Sequence, residues 1–205
     1  MGTTVASTGR IALRLTRRFA ASERGLAAVE FAMVVPFLLI MALATFDAGR
    51  AIAAYMKVKA AAFTLASITN QYTTGTTGGI TTTTMGGITG SSAKVLTPYT
   101  GTTVARITQI KATSLTAARV SWSYATDSSA YTASAVFPQA SLPAQFKSNN
   151  VCNSFPCYYV FAEMSYTFTP VFGYFLTGSI VLKDNVWVTP RSSTCIQFNS
   201  VPATC

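Results

Sequence analysis

Histidine is absent from this 205-residue sequence, and acidic residues are scarce. Without histidine, the chain can build neither a Ser-His-Asp or Cys-His nucleophilic site nor a histidine-ligated metal site. Six Asp and Glu residues leave little for acid–base catalysis or a calcium site. Those after residue 47 are Asp127, Glu163 and Asp184, which are scattered along the sequence. We therefore expect that the chain is not an enzyme and that it needs no cofactor.

Charge is scarce as well, because only 10% of the residues are charged while 50% are hydrophobic; an average soluble domain has about 25% charged residues. The net charge of +9 is unevenly placed: residues 1–25 contain five arginines and one acid, Glu23. The longest apolar run, 26–46, follows directly and contains one charge, Glu30, and one proline, Pro36. As a helix it would be roughly 31 Å long, enough to span a bilayer.

A basic head before an apolar run is typical of a membrane insertion signal rather than of a nucleic-acid site. We therefore predict a single-pass membrane protein whose N-terminus is cytoplasmic and whose C-terminal part lies outside. No nucleic-acid partner is expected.

Four regions follow from composition and periodicity: a basic leader (1–25), a transmembrane helix with a helical stalk (26–70), a linker or loop (71–93) and a β-rich domain (94–205). Helical spacing continues beyond the apolar run without an interrupting proline. Residues 73–92 include seventeen Thr, Gly or Ser residues, a composition that predicts a flexible linker or an exposed loop without a core.

The last region contains four apolar runs of β character, at 103–112, 119–124, 157–168 and 178–188, with prolines between them. In the second run, Val120, Trp122 and Tyr124 alternate and should share one face. We predict a small antiparallel sheet with one face covered by the stalk. The fold class is thus α+β: a long N-terminal membrane-spanning helix, then a small antiparallel β-rich domain, as in pilins.

All four cysteines lie in the β-rich region, at Cys152, Cys157, Cys195 and Cys205. An even number outside the membrane segment suggests two disulfides in an oxidising compartment. Three pairings are possible, of which Cys152–Cys157 with Cys195–Cys205 is the simplest. Free thiols and a four-cysteine zinc site are the alternatives, although the spacing does not match paired Cys-x-x-Cys knuckles.

The most informative stretch begins at Gly25 and Leu26 and includes Glu30 and Phe31. A carboxylate in an apolar segment costs roughly 2–3 kcal/mol at mid-bilayer and less near the interface, so Glu30 is either a tolerated interfacial charge or functional. A basic leader, Gly25, four residues and Glu30-Phe31 before an apolar helix resemble a type IV prepilin cleavage site. The resemblance implies that a prepilin peptidase cuts after Gly25. It also implies that Glu30 pairs with the new amine of a neighbouring subunit during assembly.

The early Pro36 and the sequence Phe-Asp-Ala-Gly-Arg-Ala at 46–51 resemble the TadE-like proteins, which are minor pseudopilins of the tight-adherence (Tad/Flp) pilus machinery. This resemblance implies a structural subunit of pilus assembly, in adhesion and biofilm formation. It implies a location in the bacterial inner membrane, with the C-terminal domain in the periplasm or at the pilus surface. The implied partners are the prepilin peptidase, other pilins or pseudopilins, the Tad assembly platform and membrane lipid.

Another interpretation is an extracytoplasmic binding domain, either membrane-anchored or released by ordinary signal peptidase. Residues 42–44, Ala-Leu-Ala, form an A-x-A sequence after an apolar stretch. The mature N-terminus separates the two interpretations, since it would be Leu26 in the first and Thr45 in the second.

Overall fold

The computed structural model describes residues 23–73, 79–114, 116–138, 142, 154–173 and 178–199. In chain order the elements are α1 (Glu23–Thr69), α2 (Thr82–Lys94), β1 (Thr103–Ser114), β2 (Ala117–Ala125), β3 (Cys157–Phe168) and β4 (Ile180–Val188). The predicted α+β class, with a long apolar helix before an antiparallel sheet, is confirmed. The chain divides into two compact units, Met1–Ala48 and Gly49–Cys205. The basic leader lies almost wholly outside the described residues.

In the first unit, α1 is apolar on all sides. Its large side chains between Leu26 and Phe46, apart from the half-buried Val35, are each more than a third exposed. From Gly25 the helix is long and apolar enough to cross a membrane once. A helix that is hydrophobic all round is either the core of a large protein or a membrane span. Pro36 lies inside this segment, a position that membrane helices tolerate better than soluble ones.

The second unit is built on a four-stranded sheet in the order β2-β1-β3-β4, with every neighbouring pair antiparallel. The central pair, β1 and β3, is in register from Thr103↔Tyr166 to Ala112↔Cys157. Because side chains alternate along a strand, each strand contributes one set of residues to each face. The inner set is apolar and largely buried: Ala105, Ile107, Trp122, Val160, Ala162, Met164, Tyr166 and Phe168.

The part of α1 in this unit covers the inner face of the sheet, as predicted. Its inward stripe is fully buried and consists mostly of small residues: Ala54, Val58, Ala61, Ala62, Leu65 and Ala66. These positions follow the i, i+3, i+4 spacing of one helix face. Small side chains bring a helix close to the surface on which it packs, and here the larger residues of the strands fill the space.

The prediction that Val120, Trp122 and Tyr124 share one face of the sheet is wrong for Val120. The register changes from Gln109↔Trp122 to Ile110↔Val120, so one extra residue of β2 opposes β1. Such a β-bulge reverses the alternation of the residues beyond it. Trp122 belongs to the inner core, whereas Val120 joins a second cluster on the outer face with Ile110, Ala118, Phe137, Leu142 and Phe161.

The prediction of a linker or loop over 71–93 is also wrong where α2 forms. Met85, Ile88, Thr89 and Ser92 are buried along one helix face. The hydroxyls of Thr89 and Ser92 donate to carbonyls of Met85 and Ile88 (3.0 and 2.9 Å), so their burial leaves no unpaired donor. The Thr81 side chain caps the helix by accepting the Thr84 N–H (3.2 Å). Packing against the domain core therefore overrides the low helix propensity of Gly and Thr.

A strap at residues 195–199 closes the inner core beside α2. The Ile196 N–H donates to Gln109 Oε1 (2.7 Å), and its carbonyl accepts from Trp122 Nε1 (2.8 Å). The Phe198 ring stacks on Trp122 with centroids 5.0 Å apart. Ile80 donates to the Gln197 carbonyl (2.8 Å) and accepts from the Asn199 N–H (2.8 Å). Two buried side chains of the sheet therefore satisfy the polar backbone groups of Ile196, the second residue of the strap.

Gly101 lies close to the end of β3. A Cβ at this position would be 2.7 Å from Tyr166 Cε2 and 2.8 Å from the Thr167 carbonyl oxygen. Gly87, on the exposed side of α2, would place a Cβ in open space. The same substitution should therefore have opposite effects at the two sites.

We predict that Gly101→Ala lowers the free energy of unfolding of the β-rich domain by about 1–3 kcal/mol, because the added methyl group overpacks the contact. Gly87→Ala should raise it by up to about 1 kcal/mol through helix propensity. Thermal unfolding of the full chain in detergent, followed by near-ultraviolet circular dichroism, measures both. Equal unfolding temperatures for the two variants would contradict the prediction.

Candidate functional site

The sequence-predicted processing residues all lie in the first three turns of α1. Leu26 and Phe31 are 64% and 67% exposed, and Glu30 is exposed as well. At 1.5 Å per residue, Glu30 lies about 7.5 Å along the helix axis from Gly25. The structure thus places the predicted cleavage point and the predicted assembly carboxylate on one short, accessible stretch of helix.

Packing does not explain the glycine at position 25. A Cβ there would meet no atom within 4 Å, and the backbone is helical. Glycine in a helix costs roughly 1 kcal/mol relative to alanine. Among the described residues, therefore, no contact requires glycine at this position.

Glu30 is surrounded by apolar residues on its own helix. The positions three and four residues away are Leu26, Ala27, Met33 and Val34, so no basic side chain is at a helical distance suited to an ion pair. A carboxylate in this setting gains most from a partner outside its own helix.

Two of the four cysteines, Cys157 and Cys195, lie in the described part of the chain. Cys157 is the first residue of β3, and Cys195 begins the strap, where it is buried. Neither is a free thiol. Cys152 and Cys205, their predicted partners, lie outside the described residues. Residues 154–159 and 189–194 contribute the walls of one cleft of about 280 Å³, so the segments that carry the two cysteines are neighbours.

The three acids of the domain are not scattered in space as they are in the sequence. Asp127, Glu163 and Asp184 line one cavity of about 330 Å³ together with Arg106 and Lys183. Strand register brings them together, because Arg106 of β1 is directly opposite Glu163 of β3, and Glu163 is opposite Asn185 of β4. Sequence reasoning missed this cavity because register depends on pairing between distant segments.

Arg106 is the centre of the polar cavity. Its Nε and one terminal nitrogen donate to both oxygens of Glu163 (2.6 and 2.7 Å), and its other terminal nitrogen donates to the Ser129 carbonyl (2.9 Å). The guanidinium lies 4.3 Å from the centre of the Tyr131 ring. The hydrogen bond to Glu163 raises the pKa of Arg106, and burial raises the pKa of the Tyr131 hydroxyl.

Each acid of the cavity already has a partner within the domain. Glu163 pairs with Arg106, and Asp184 accepts a hydrogen bond from the Tyr55 hydroxyl (3.4 Å). Asp127 accepts hydrogen bonds from the hydroxyl and the N–H of Ser129, and these bonds lower the pKa of Asp127. The described residues contain no group of three or more potential metal ligands. These interactions hold the loop after β2 against the sheet. The acids do not resemble a pair of catalytic carboxylates.

We predict that Glu163→Gln destabilises the domain by about 1–3 kcal/mol, because it replaces two charge-assisted bonds and leaves the guanidinium without its counter-charge. Asp127→Asn is the matched control, since it also neutralises an acid of the cavity but at a fully exposed site. Urea midpoints of the full chain at neutral pH measure both changes. A Glu163→Gln midpoint no lower than that of Asp127→Asn would contradict a structural role for the ion pair.

No curated protein and no solved structure matches this chain. The family model of the TadE-like proteins matches residues 25–66, which begin at Gly25 and cover the apolar part of α1 and most of its stalk. Over this helix, the chain is similar to the TadE-like proteins.

Proposed function

We propose that this protein is a structural subunit of Tad/Flp pilus assembly, of the minor pseudopilin type, and that it performs no chemistry of its own. The observation that carries the proposal is the coincidence of the family match with the site geometry. The match starts at Gly25, a glycine that no described contact requires, and the accessible Glu30 follows in the next turns of the helix.

In this proposal a prepilin peptidase cuts after Gly25, and Leu26 becomes the new N-terminus. The α-amino group then lies at the start of a helix, about 6 Å along the axis from Glu30. When two subunits pack side by side, the amine of one can pair with the Glu30 carboxylate of the other. The ion pair offsets the cost of removing both charges from water, which neither group can offset alone.

The same proposal gives the location of each region. Residues 26–46 cross the bacterial inner membrane, the arginine-rich leader stays in the cytoplasm, and the β-rich domain lies in the periplasm or at the pilus surface. The asymmetry of the arginines supports this orientation. Membrane lipid, other pilins or pseudopilins, the assembly platform and the peptidase are the proposed partners.

In the alternative function, the protein is a binding domain that ordinary signal peptidase releases by cutting after Ala44. α1 continues without interruption through residues 42–44 to Thr69, and the residues beyond Ala44 provide the stripe that packs on the sheet. We therefore favour cleavage after Gly25. N-terminal sequencing of the mature protein separates the two, because it reads Leu26 in one case and Thr45 in the other.

We predict that Gly25→Val blocks cleavage, whereas Glu30→Ala leaves cleavage intact and blocks assembly. A β-branched side chain at position 25 obstructs a peptidase site that accepts glycine. Loss of the carboxylate leaves a neighbour's amine buried and unpaired, which costs roughly 3–5 kcal/mol. A gel shift measures cleavage, and co-purification with pilus components measures assembly.

Two matched variants sharpen this experiment. Glu30→Gln keeps the shape of the side chain and removes only its charge, so it should fail to assemble as Glu30→Ala does. Val29→Ala truncates the adjacent, exposed residue and should be cleaved and assembled normally. Normal assembly of Glu30→Ala would mean that the charge is merely tolerated near the interface.

We also propose two disulfides in the β-rich domain, Cys152–Cys157 and Cys195–Cys205. Support comes from the even number of cysteines and from the absence of a free thiol at Cys157 and Cys195. The two loops are short, so each bond should add roughly 2–3 kcal/mol by restricting the unfolded chain. The second bond would tie the strap to the C-terminus.

Single Cys→Ser variants test the pairing through the thiol that each one releases. In the proposed pairing, Cys152→Ser makes only Cys157 reactive toward an alkylating reagent, and Cys205→Ser makes only Cys195 reactive. Peptide mapping without reduction identifies the labelled residue. Release of Cys195 or Cys205 by Cys152→Ser would reveal a crossed pairing, and four reactive thiols in the unmodified protein would exclude disulfides.

A further inference from the structure

The two outer edges of the sheet differ in what covers them. Along β2, the chain returns at residues 134–137 and pairs with the strand: the Val120 N–H donates to the Ala135 carbonyl (2.9 Å), and the Phe137 N–H donates to the Ala118 carbonyl (2.9 Å). At the other edge, β4 pairs with β3 along its whole length and with no other described strand. A sheet edge with unpaired backbone groups is a template for a further strand.

Strand geometry identifies the backbone groups of β4 that face outward. The Thr167 N–H donates to the Thr102 carbonyl (2.9 Å), so odd-numbered residues of β3 direct their backbone groups toward β1 and even-numbered ones toward β4. The register pairs even-numbered residues of β3 with even-numbered residues of β4. The odd-numbered residues of β4, among them Val181, Lys183 and Asn185, therefore direct their backbone donors and acceptors away from β3.

The side chains at the centre of this open edge are polar and accessible. Lys183 and Asn185 are exposed, and together with Ser165, which is opposite Lys183, they line the polar cavity on the outer face. Among the described residues, no hydrogen bond or ion pair involves the Lys183 ammonium group. The neighbouring Asp184 points to the opposite face, where it accepts from the Tyr55 hydroxyl.

We propose that β4 accepts an extended segment of a different protein as a fifth, antiparallel strand, with an Asp or Glu of that segment directly opposite Lys183. Directly opposite residues project their side chains from the same face of a sheet, so the carboxylate meets the Lys183 ammonium group on the outer face. Hydrogen bonds to the outward backbone groups provide affinity, and the ion pair provides specificity.

The charge of the domain supports an acidic segment. Residues 49–205 contain ten Lys or Arg residues and three Asp or Glu residues. A surface with this excess of positive charge attracts an acidic partner over distances longer than a single contact. The acids of the polar cavity already have partners within the domain, so they leave the Lys183 charge available.

A second copy of this chain does not provide the carboxylate through the same edge. In an antiparallel pair, residues whose backbone groups point toward the other strand lie opposite one another. If β4 paired with β4 of a second copy, Lys183 would lie opposite another odd-numbered residue of that strand. None of these is acidic, and Asp184 is excluded because its backbone groups face β3. Charge complementarity therefore favours a different chain.

A peptide titration of the full chain in detergent micelles tests the inference. The probe is the acetylated and amidated peptide Thr-Thr-Ser-Glu-Ser-Val-Thr, and backbone amide NMR signals follow its binding up to millimolar concentration. One control peptide has glutamine in place of glutamate. A second control carries N-methyl groups on the glutamate and on the residues two before and two after it, which removes the donors that would face β4.

We predict that the glutamate peptide shifts the amide signals of Val181, Lys183 and Asn185. Glutamine in the peptide should weaken binding about two- to fivefold, as expected for an exposed cross-strand ion pair. N-methylation should weaken binding more than tenfold, because several backbone hydrogen bonds are lost together.

A charge exchange provides the sharpest comparison. Lys183→Glu should bind a peptide with lysine in place of glutamate more tightly than the original peptide. Lys59→Glu is the matched control, because Lys59 is also exposed but lies on α1, and the substitution changes the net charge equally. Lys59→Glu should retain the preference for the glutamate peptide. The amide spectrum reports whether each variant is folded.

These outcomes concern the β-rich domain and do not depend on the role in pilus assembly proposed above. Equal affinities for the glutamate and glutamine peptides, or equal responses of the two variants, would overturn the acidic partner. Amide signals of the edge that stay unchanged at millimolar peptide would overturn strand addition. Shifts of the same signals with protein concentration alone would assign the edge to a second copy of the chain.

Discussion

Contact between the Ala-rich stripe of α1 and the inner face of the sheet is the interaction on which the rest of the domain depends. All six stripe residues are fully buried, and they bring the helix close enough for Ile107, Val160 and Met164 to fill the space beneath it. A sheet that is apolar on one face must bury that face against another element. The helix is exposed on every side before Phe46, whereas after Gly49 one of its faces is buried on the sheet.

The other elements of the domain cover the parts of the sheet that α1 does not cover. α2 and the strap at 195–199 close the inner core, and the side chains of Gln109 and Trp122 satisfy the polar groups of Ile196. On the outer face, the bulge in β2 turns Val120 toward Phe137 and Phe161 and forms a second, smaller core. The ion pair between Arg106 and Glu163 occupies the neighbouring part of that face, so the outer surface is divided into an apolar end and a polar end.

The start of α1 and the β-rich domain place different requirements on the sequence. The residues near Gly25 and Glu30 contribute nothing to the folded domain that the described contacts reveal, and they match the family model. The β-rich domain matches no curated protein and no solved structure, and the acids of its polar cavity are engaged with other residues of the domain. The match to the family model therefore lies in α1 and not in the sheet.

Much of the architecture could be predicted from the sequence, because it depends on local patterns. An apolar run of bilayer length, helical spacing that continues past it, and four alternating β runs determined the class, the helix and the strands, whose bounds agree to within a few residues. The candidate site at Gly25, Glu30 and Phe31 was also local, since its spacing along one helix is its whole geometry.

The tertiary structure alone decided the features that depend on pairing between distant segments. The bulge at Ser121 places Val120 on the outer face of the sheet. No local pattern indicates this bulge, because it arises from the register between β1 and β2. The Thr- and Gly-rich segment becomes helical only where a core is available to bury Met85 and Ile88. Arg106, 57 residues from Glu163, finds its partner only when β1 and β3 pair, since strand register is set by the burial of whole faces and not by either residue alone.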